Sequence, residues 1–151
     1  MTPVSNPPGA VLFACTMNSV RSPMAEGILK SLHGHQVYVD SVGVRASELD
    51  GFMVEVMGEI GVDMSAHKSK TFGELEDTSY DLVISLSPEA QHSAVELTRT
   101  MAIEVEYWAT FDPSVVEGSR PVRLDAYRQV RDELRRRLGE RFPTHAPMDT
   151  A

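Results

Sequence analysis

Apolar residues fall into short runs and helical stripes that alternate along the chain. Val11-Leu12-Phe13-Ala14 is continuous and apolar, the pattern of a strand buried on both faces of a parallel sheet. Ser22-Pro23 comes after the next polar stretch. Serine suits an N-cap and proline a first turn, so a helix is predicted to open there. Met24, Ala25, Ile28, Leu29 and Leu32 recur at helical spacing and form its candidate core face. Residues 36–42 read as a second strand. Residues 47–60 read as a helix with Leu49, Phe52, Met53, Val56, Met57 and Ile60 inward, ended by Gly61 as a C′ residue. Residues 81–86 give a third strand, and Ser87-Pro88-Glu89 a second cap-plus-proline start for a helix reaching Met101. A fourth strand over 103–107 precedes a last helix over 121–142, with Tyr127, Val130, Leu134 and Leu138 on one stripe.

This alternation predicts an α/β fold, a single doubly wound domain whose four-stranded parallel sheet is flanked by helices. No internal repeat or linker interrupts it. Residues 1–9, polar and rich in proline, read as a flexible leader, 10–143 as the domain and 144–151 as a flexible tail.

Composition narrows the class. A chain of 151 residues, 42% hydrophobic, buries a core without a disulfide or metal staple. Its one cysteine, Cys15, excludes an internal disulfide and any cysteine-cluster metal site. The apolar runs are strand-sized, so no membrane span is expected, and the N-terminus lacks the basic and apolar regions of a secretory signal. The expected location is cytoplasmic. A net charge of −8 argues against a nucleic-acid partner. The charge is uneven, with eight arginines against four acids in residues 120–141, which reads as a solvated helix face.

In open parallel sheets, ligands bind at the carboxyl ends of the strands. The first such end is Cys15-Thr16-Met17-Asn18-Ser19-Val20-Arg21-Ser22, where loop amides and a helix N-terminus make an anion cradle. Arg21 offers two parallel hydrogen bonds to a tetrahedral oxyanion. Cationic and dipolar surroundings favour a thiolate, the nucleophilic form of cysteine. The implied chemistry is attack of Cys15 on phosphorus through a covalent thiophosphate. Such a reaction needs an acid for the leaving group, and Asp112-Pro113, just after the fourth strand, supplies the candidate.

Residues 11–29, VLFACTMNSVRSPMAEGIL, resemble the signature of the low-molecular-weight protein tyrosine phosphatases and of the thioredoxin-linked arsenate reductases that share their fold. Asp40-Ser41, Asp63-Met64-Ser65-Ala66-His67 and Asp112-Pro113 resemble family landmarks in family order. The resemblance implies a flavodoxin-like topology, with Cys15 as nucleophile, Arg21 as phosphate clamp and Asp112 as general acid. It implies a phosphate-binding loop of Thr16, Met17, Asn18, Ser19, Val20 and Ser22, with the Ser22 hydroxyl on the thiolate and Asn18 in a left-handed conformation. Ser41 and His67 would buttress Asn18. No metal or organic cofactor is implied. Phosphate, sulfate or vanadate would bind the cradle, and the substrate would be a phosphorylated protein or a small phosphoester.

Several positions depart from the family pattern. Met17 stands where glycine is usual, which would be strained if that position needs a positive φ. Val20 replaces a second cysteine, and Ser114-Val115 replaces the tyrosines that wall an aromatic slot. Ser19, facing the leaving group by resemblance, is small and polar and suits a group such as phosphoarginine. Cys-Thr-x-Asn-Ser-x-Arg-Ser, Tyr107-Trp108 and Val130-Arg131-Asp132-Glu133-Leu134 resemble the arsenate reductases more. Their disulfide relay, however, requires cysteines after the third strand. Here that stretch is Ser85-Leu86-Ser87-Pro88-Glu89-Ala90, and serine forms no disulfide. The alternatives to a phosphatase are therefore an arsenate reductase served by an external thiol, glutathione or glutaredoxin, and a phosphate- or phosphoprotein-binding protein with weakened catalysis.

Other candidates have plainer readings. His33-Gly34-His35 reads as an exposed turn rather than a metal pair, and His92 and His145 as surface residues. Met24, Met53 and Met57 read as core. Trp108 fits either the substrate mouth or the core.

Overall fold

A computed structural model of the chain describes residues 8–75 and 79–143. The expected leader up to residue 7, His145 and the expected tail lie outside the described residues. The elements run β1 (Ala10–Cys15), α1 (Arg21–His33), β2 (Tyr38–Gly43), α2 (Gly51–Gly58), β3 (Leu82–Ser85), α3 (Pro88–Leu97), β4 (Glu104–Tyr107) and α4 (Arg120–Arg141), with short 3-10 turns at Phe72–Glu74 and Pro113–Val115. The four strands form one parallel sheet in the order β2-β1-β3-β4.

The uninterrupted apolar run makes β1 a central strand. Its odd positions, Val11 and Phe13, face a core closed by α1, α2 and α4; its even positions, Leu12 and Ala14, face a smaller one with Ala90 and Ala94 of α3. Both faces are covered, as parallel sheets require. Because β2 lies to one side of β1 and β3 to the other, the carboxyl end of β1 is the switch point of the sheet. Cys15 occupies it.

Several boundaries differ from the sequence reading for local reasons. Val20, not Ser22, occupies the N-cap position of α1, without a side-chain cap; Ser22 lies inside the first turn and its hydroxyl is used elsewhere. Strand β2 starts two residues late because the amides of Gln36 and Val37 turn back to the His33 carbonyl. Helix α2 starts at Gly51, since the Asp50 side chain caps the Met53 amide, and Leu49 stays exposed. At its far end Gly61 takes φ +82°. Gly61 N bonds Gly58 O and Val62 N bonds Met57 O, each at 3.0 Å, the paired bonds of a Schellman motif. Helix α3 stops at Leu97, where the Thr98 hydroxyl takes the Val95 carbonyl at 2.6 Å and competes with the helical ladder. Leu32, expected inward, is exposed at the end of α1.

The arginines of α4 are not simply a solvated face. Arg120 pairs with Glu55, Arg128 with Glu59, and buried Arg131 bonds both Glu59 and the Val56 carbonyl at 2.8 Å. They tie α4 to α2. The guanidinium groups of Arg128 and Arg131 hold the Glu59 carboxyl down, from 4.5 to about 2. Trp108 is packed as core, its indole N–H donating to Glu106 and its ring under the Arg137 guanidinium. His33 closes α1 instead of lying in the turn, with Nε2 2.7 Å from the Phe142 carbonyl; His92 is exposed. Among the described residues, no helix is long and apolar enough to cross a membrane.

Candidate active site

The chain leaves β1 at Cys15, turns through residues 16–20 and enters α1 at Arg21. Cys15 is 2% exposed. Its Sγ lies 2.9 Å from Ser22 Oγ and accepts the Ser22 amide at 3.4 Å. Asn18 Nδ2 already donates to Ser22 Oγ at 2.8 Å, so the single hydroxyl hydrogen of Ser22 is shared between the sulfur and, at 3.3 Å, the Val42 carbonyl. A negative sulfur would gain from it. That use of the hydroxyl explains why Ser22 does not cap the helix.

Asn18 organises the turn. Its φ is +52°, the only positive value at a non-glycine position among the described residues. Met17 therefore carries no left-handed strain. Asparagine tolerates this conformation better than a branched or bulky residue does. Every polar group of its side chain is used. Nδ2 donates to Ser22 and, at 2.9 Å, to Ser41 Oγ, and Oδ1 accepts the Lys70 amide at 3.0 Å. The Asn18 carbonyl accepts from Ser69 Oγ at 2.7 Å and from His67 Nε2 at 3.0 Å. A carbonyl only accepts, so Nε2 carries the hydrogen.

Behind this shell lies Glu26, which the sequence reading missed. Its carboxylate accepts from Ser41 Oγ, pairs with Lys30 Nζ at 2.6 Å and lies 3.9 Å from His67 Nδ1. The signal was the spacing of Ser22, Glu26 and Lys30, which share one helix face. Gly43 was missed as well. A Cβ there would lie 2.8 Å from Asn18 N and 2.9 Å from the Met17 carbonyl carbon, so only glycine lets the loop approach β2. On the other flank Thr16 Oγ1 donates to Ser87 Oγ at 3.0 Å, and the Arg45 amide donates to Thr16 O at 2.9 Å.

Arg21 and Asp112 come from opposite ends of the chain and meet here. Arg21 Nη1 donates to the Thr110 carbonyl at 3.1 Å, and Nη2 lies 3.8 Å from Asp112 Oδ2. The other oxygen, Asp112 Oδ1, accepts the Ser114 amide at 3.0 Å and the Ser114 hydroxyl at 2.7 Å. One carboxylate oxygen is thus anchored and the other turned toward the guanidinium, on a side chain 35% exposed. Ser19 and Met17 are half-buried at the turn, and Val20 is buried. A buried thiol, a guanidinium, a helix N-terminus and an aspartate have been brought to the carboxyl edge of one sheet. This arrangement can hold a tetrahedral oxyanion against a sulfur nucleophile.

A family model described as low molecular weight phosphotyrosine protein phosphatase matches residues 10–144. The chain belongs to that family. Among its relatives, an arsenate reductase of Bacillus subtilis is 32% identical over 130 residues, covering 86% of this chain and 92% of that protein. A glutaredoxin arsenate reductase of Synechocystis is 33% identical over 128 residues, covering 85% and 92%. Among solved structures, the low molecular weight protein tyrosine phosphatase of T. tengcongensis superimposes with a TM-score of 0.72 at 28% identity, covering 88% of this chain and 99% of that one. The family thus spans proteins named for two chemistries. The four-stranded α/β fold is common to them, and the chain is an enzyme fold of this family.

Proposed function

We propose that the protein is a phosphomonoester hydrolase of the tyrosine phosphatase type, working through a cysteinyl-phosphate. The Cys15 thiolate attacks phosphorus in line with the ester oxygen. The S–P bond forms as the P–O bond breaks, and Asp112 gives its proton to the leaving oxygen. Arg21 and the amides of residues 16–21 hold the equatorial oxygens, whose charge they stabilise most in the transition state. Water then attacks the thiophosphate, Asp112 takes its proton, and phosphate departs while Cys15 is restored as thiolate. No electron changes hands.

The observation that carries this reading is a solitary thiol on a loop whose arginine faces an anchored acid. Cys15 is the only cysteine of the chain, and Asp112 stands against the Arg21 guanidinium. Hydrolysis needs one thiol and one acid. Arsenate reduction needs further thiols, because arsenate takes up two electrons that a single cysteine does not supply. A second reading is favoured by the relatives named arsenate reductase, one of them named for glutaredoxin. In it, Cys15 attacks arsenate and an external thiol completes the reduction.

The two readings part in one experiment. Release of p-nitrophenol from p-nitrophenyl phosphate is followed from about pH 5 to about pH 8, beside arsenate reduction with glutathione and glutaredoxin. Ester turnover without any added thiol is the expected result. Arsenate-dependent thiol oxidation with no ester turnover would replace the first reading by the second. If neither reaction occurs, a binding protein remains.

A further inference from the structure

The mouth of the site is bordered by two segments. One follows β2, with Val44 N on the Cys15 carbonyl and Arg45 N on the Thr16 carbonyl, and leads to Leu49, Asp50 and Phe52. The other carries Asp112 and the 3-10 turn Pro113–Val115. The first two turns of α4 join them. There Tyr127 donates to Asp50 Oδ2 at 2.8 Å, and its phenol, pushed up chiefly by burial, also feels the charges of Arg123 and Asp112. Arg123 thus belongs to the junction of the two walls.

Arg123 differs from its neighbours on α4. Arg120 and Arg123 both lie over the Phe52 ring, 5.9 and 4.7 Å from its centroid, but Arg120 also pairs with Glu55 of α2, as Arg128 pairs with Glu59, while Arg123 makes no ion pair among the described residues. Its Nε is buried with no hydrogen-bond partner, alone in this among the described residues. A buried N–H of a charged group left unpaired is costly and calls for an explanation. Asp50 and Asp112, the carboxylates of the two walls, are both engaged. Asp50 accepts from Tyr127 and from the Met53 amide, and Asp112 accepts from Ser114 and faces Arg21. Arg45, on the segment that follows β2, is taken up by Glu89 through bonds of 3.2 and 3.3 Å.

We propose that Arg123 is a specificity-determining residue that reads a second anionic group of the substrate, an acidic side chain flanking the phosphoester of a phosphopeptide. The inference rests on the phosphoester reading above. Contact with Phe52 restrains the guanidinium, so that little side-chain freedom is lost when a carboxylate docks. A net charge of −8 repels acidic peptides over the whole surface, so a preference for them requires a local cation without its own counter-charge.

The test uses Cys15→Ser, which retains the cradle without turnover, and equilibrium binding of two phosphotyrosine pentapeptides, Glu-Glu-pTyr-Glu-Glu and Gln-Gln-pTyr-Gln-Gln. The acidic peptide is expected to bind about tenfold tighter, the effect of one charge-assisted bidentate pair. Adding Arg123→Gln brings that ratio to about one, Arg123→Lys keeps part of it, and Arg136→Gln, whose partners Glu133 and Glu140 lie on α4 itself, leaves it intact. Each ratio is internal to one variant, so a loss of stability does not imitate the result. Equal binding of both peptides with Arg123 present, or a preference that survives Arg123→Gln, overturns the inference and leaves the phosphoester reading standing. Binding of neither peptide overturns the phosphoester reading, and the inference falls with it.

Discussion

The two sides of Cys15 are built differently. Behind it, Asn18 is wholly buried and held by Ser22, Ser41, His67, Ser69 and Lys70, with Glu26 and Lys30 beyond. In front, Asp112 is anchored by Ser114 alone on one oxygen, between Phe111 and Val115, which are both largely exposed. A phosphate cradle, as proposed for this loop, demands one backbone geometry, and an over-determined shell would enforce it. A mouth that admits a substrate, as proposed, needs no such shell, and its exposed side chains can differ between relatives without disturbing the fold. That contrast fits a family whose members carry the names of a phosphatase and of an arsenate reductase.

The sharpest break of this contrast is Asp112→Ala, which strikes only the front. Turnover should fall by about 10²–10⁴-fold, the usual contribution of a positioned general acid. Phosphate should bind as well or better, since a carboxylate that repels it is gone. A parallel loss of phosphate affinity, measured by competition, would show instead that Asp112 supports the cradle.

Asn18→Ala strikes the back. It removes the side-chain bonds of a buried group and leaves alanine at φ +52°, so about 2–4 kcal/mol of stability should be lost in urea unfolding. Asn18→Gly relieves the backbone and keeps the loss of bonds. It should therefore recover about 1 kcal/mol of stability while phosphate affinity stays weak. Full recovery of affinity by glycine would mean that the conformation, not the bonding shell, makes the cradle.

The back was only partly legible. The apolar run of β1 and the spacing of Cys15, Arg21 and Asp112 place these groups at the sheet's carboxyl edge, because they depend on local pattern and on the geometry of parallel sheets, whereas the cap reading of Ser22 did not hold. Ser69, Lys70 and the Thr110 carbonyl were not legible as partners, because each acts through an approach between segments remote in sequence. The same holds for Gly43, required by a backbone contact and by no pattern of its own. Boundaries moved where one polar group outcompeted the ladder, as with the His33 carbonyl, the Asp50 carboxylate and the Thr98 hydroxyl.

The smallest effect lies away from both sides, at the seam between α2 and α4, and serves as a control for the comparison. The folded Glu59 carboxyl is lowered from 4.5 to about 2, so its contribution to stability is present above 4.5 and is lost as pH falls toward 2. Its side chain is about a third exposed, which keeps the contribution near 1 kcal/mol. Glu59→Gln should cost about that much at neutral pH, leave turnover unchanged, and unfold with the same stability as the wild type once the pH approaches 2. A deficit that persists in acid would assign the effect to packing rather than charge.

The central claim is that Cys15 becomes phosphorylated during turnover. The direct measurement is acid quenching of the enzyme while it hydrolyses p-nitrophenyl phosphate, followed by mass spectrometry of the peptide that contains Cys15. A phosphoryl group on that peptide, absent from Cys15→Ser along with all turnover, is the predicted result. Undiminished turnover by Cys15→Ser, with no phosphoryl group on the wild-type peptide, would contradict it.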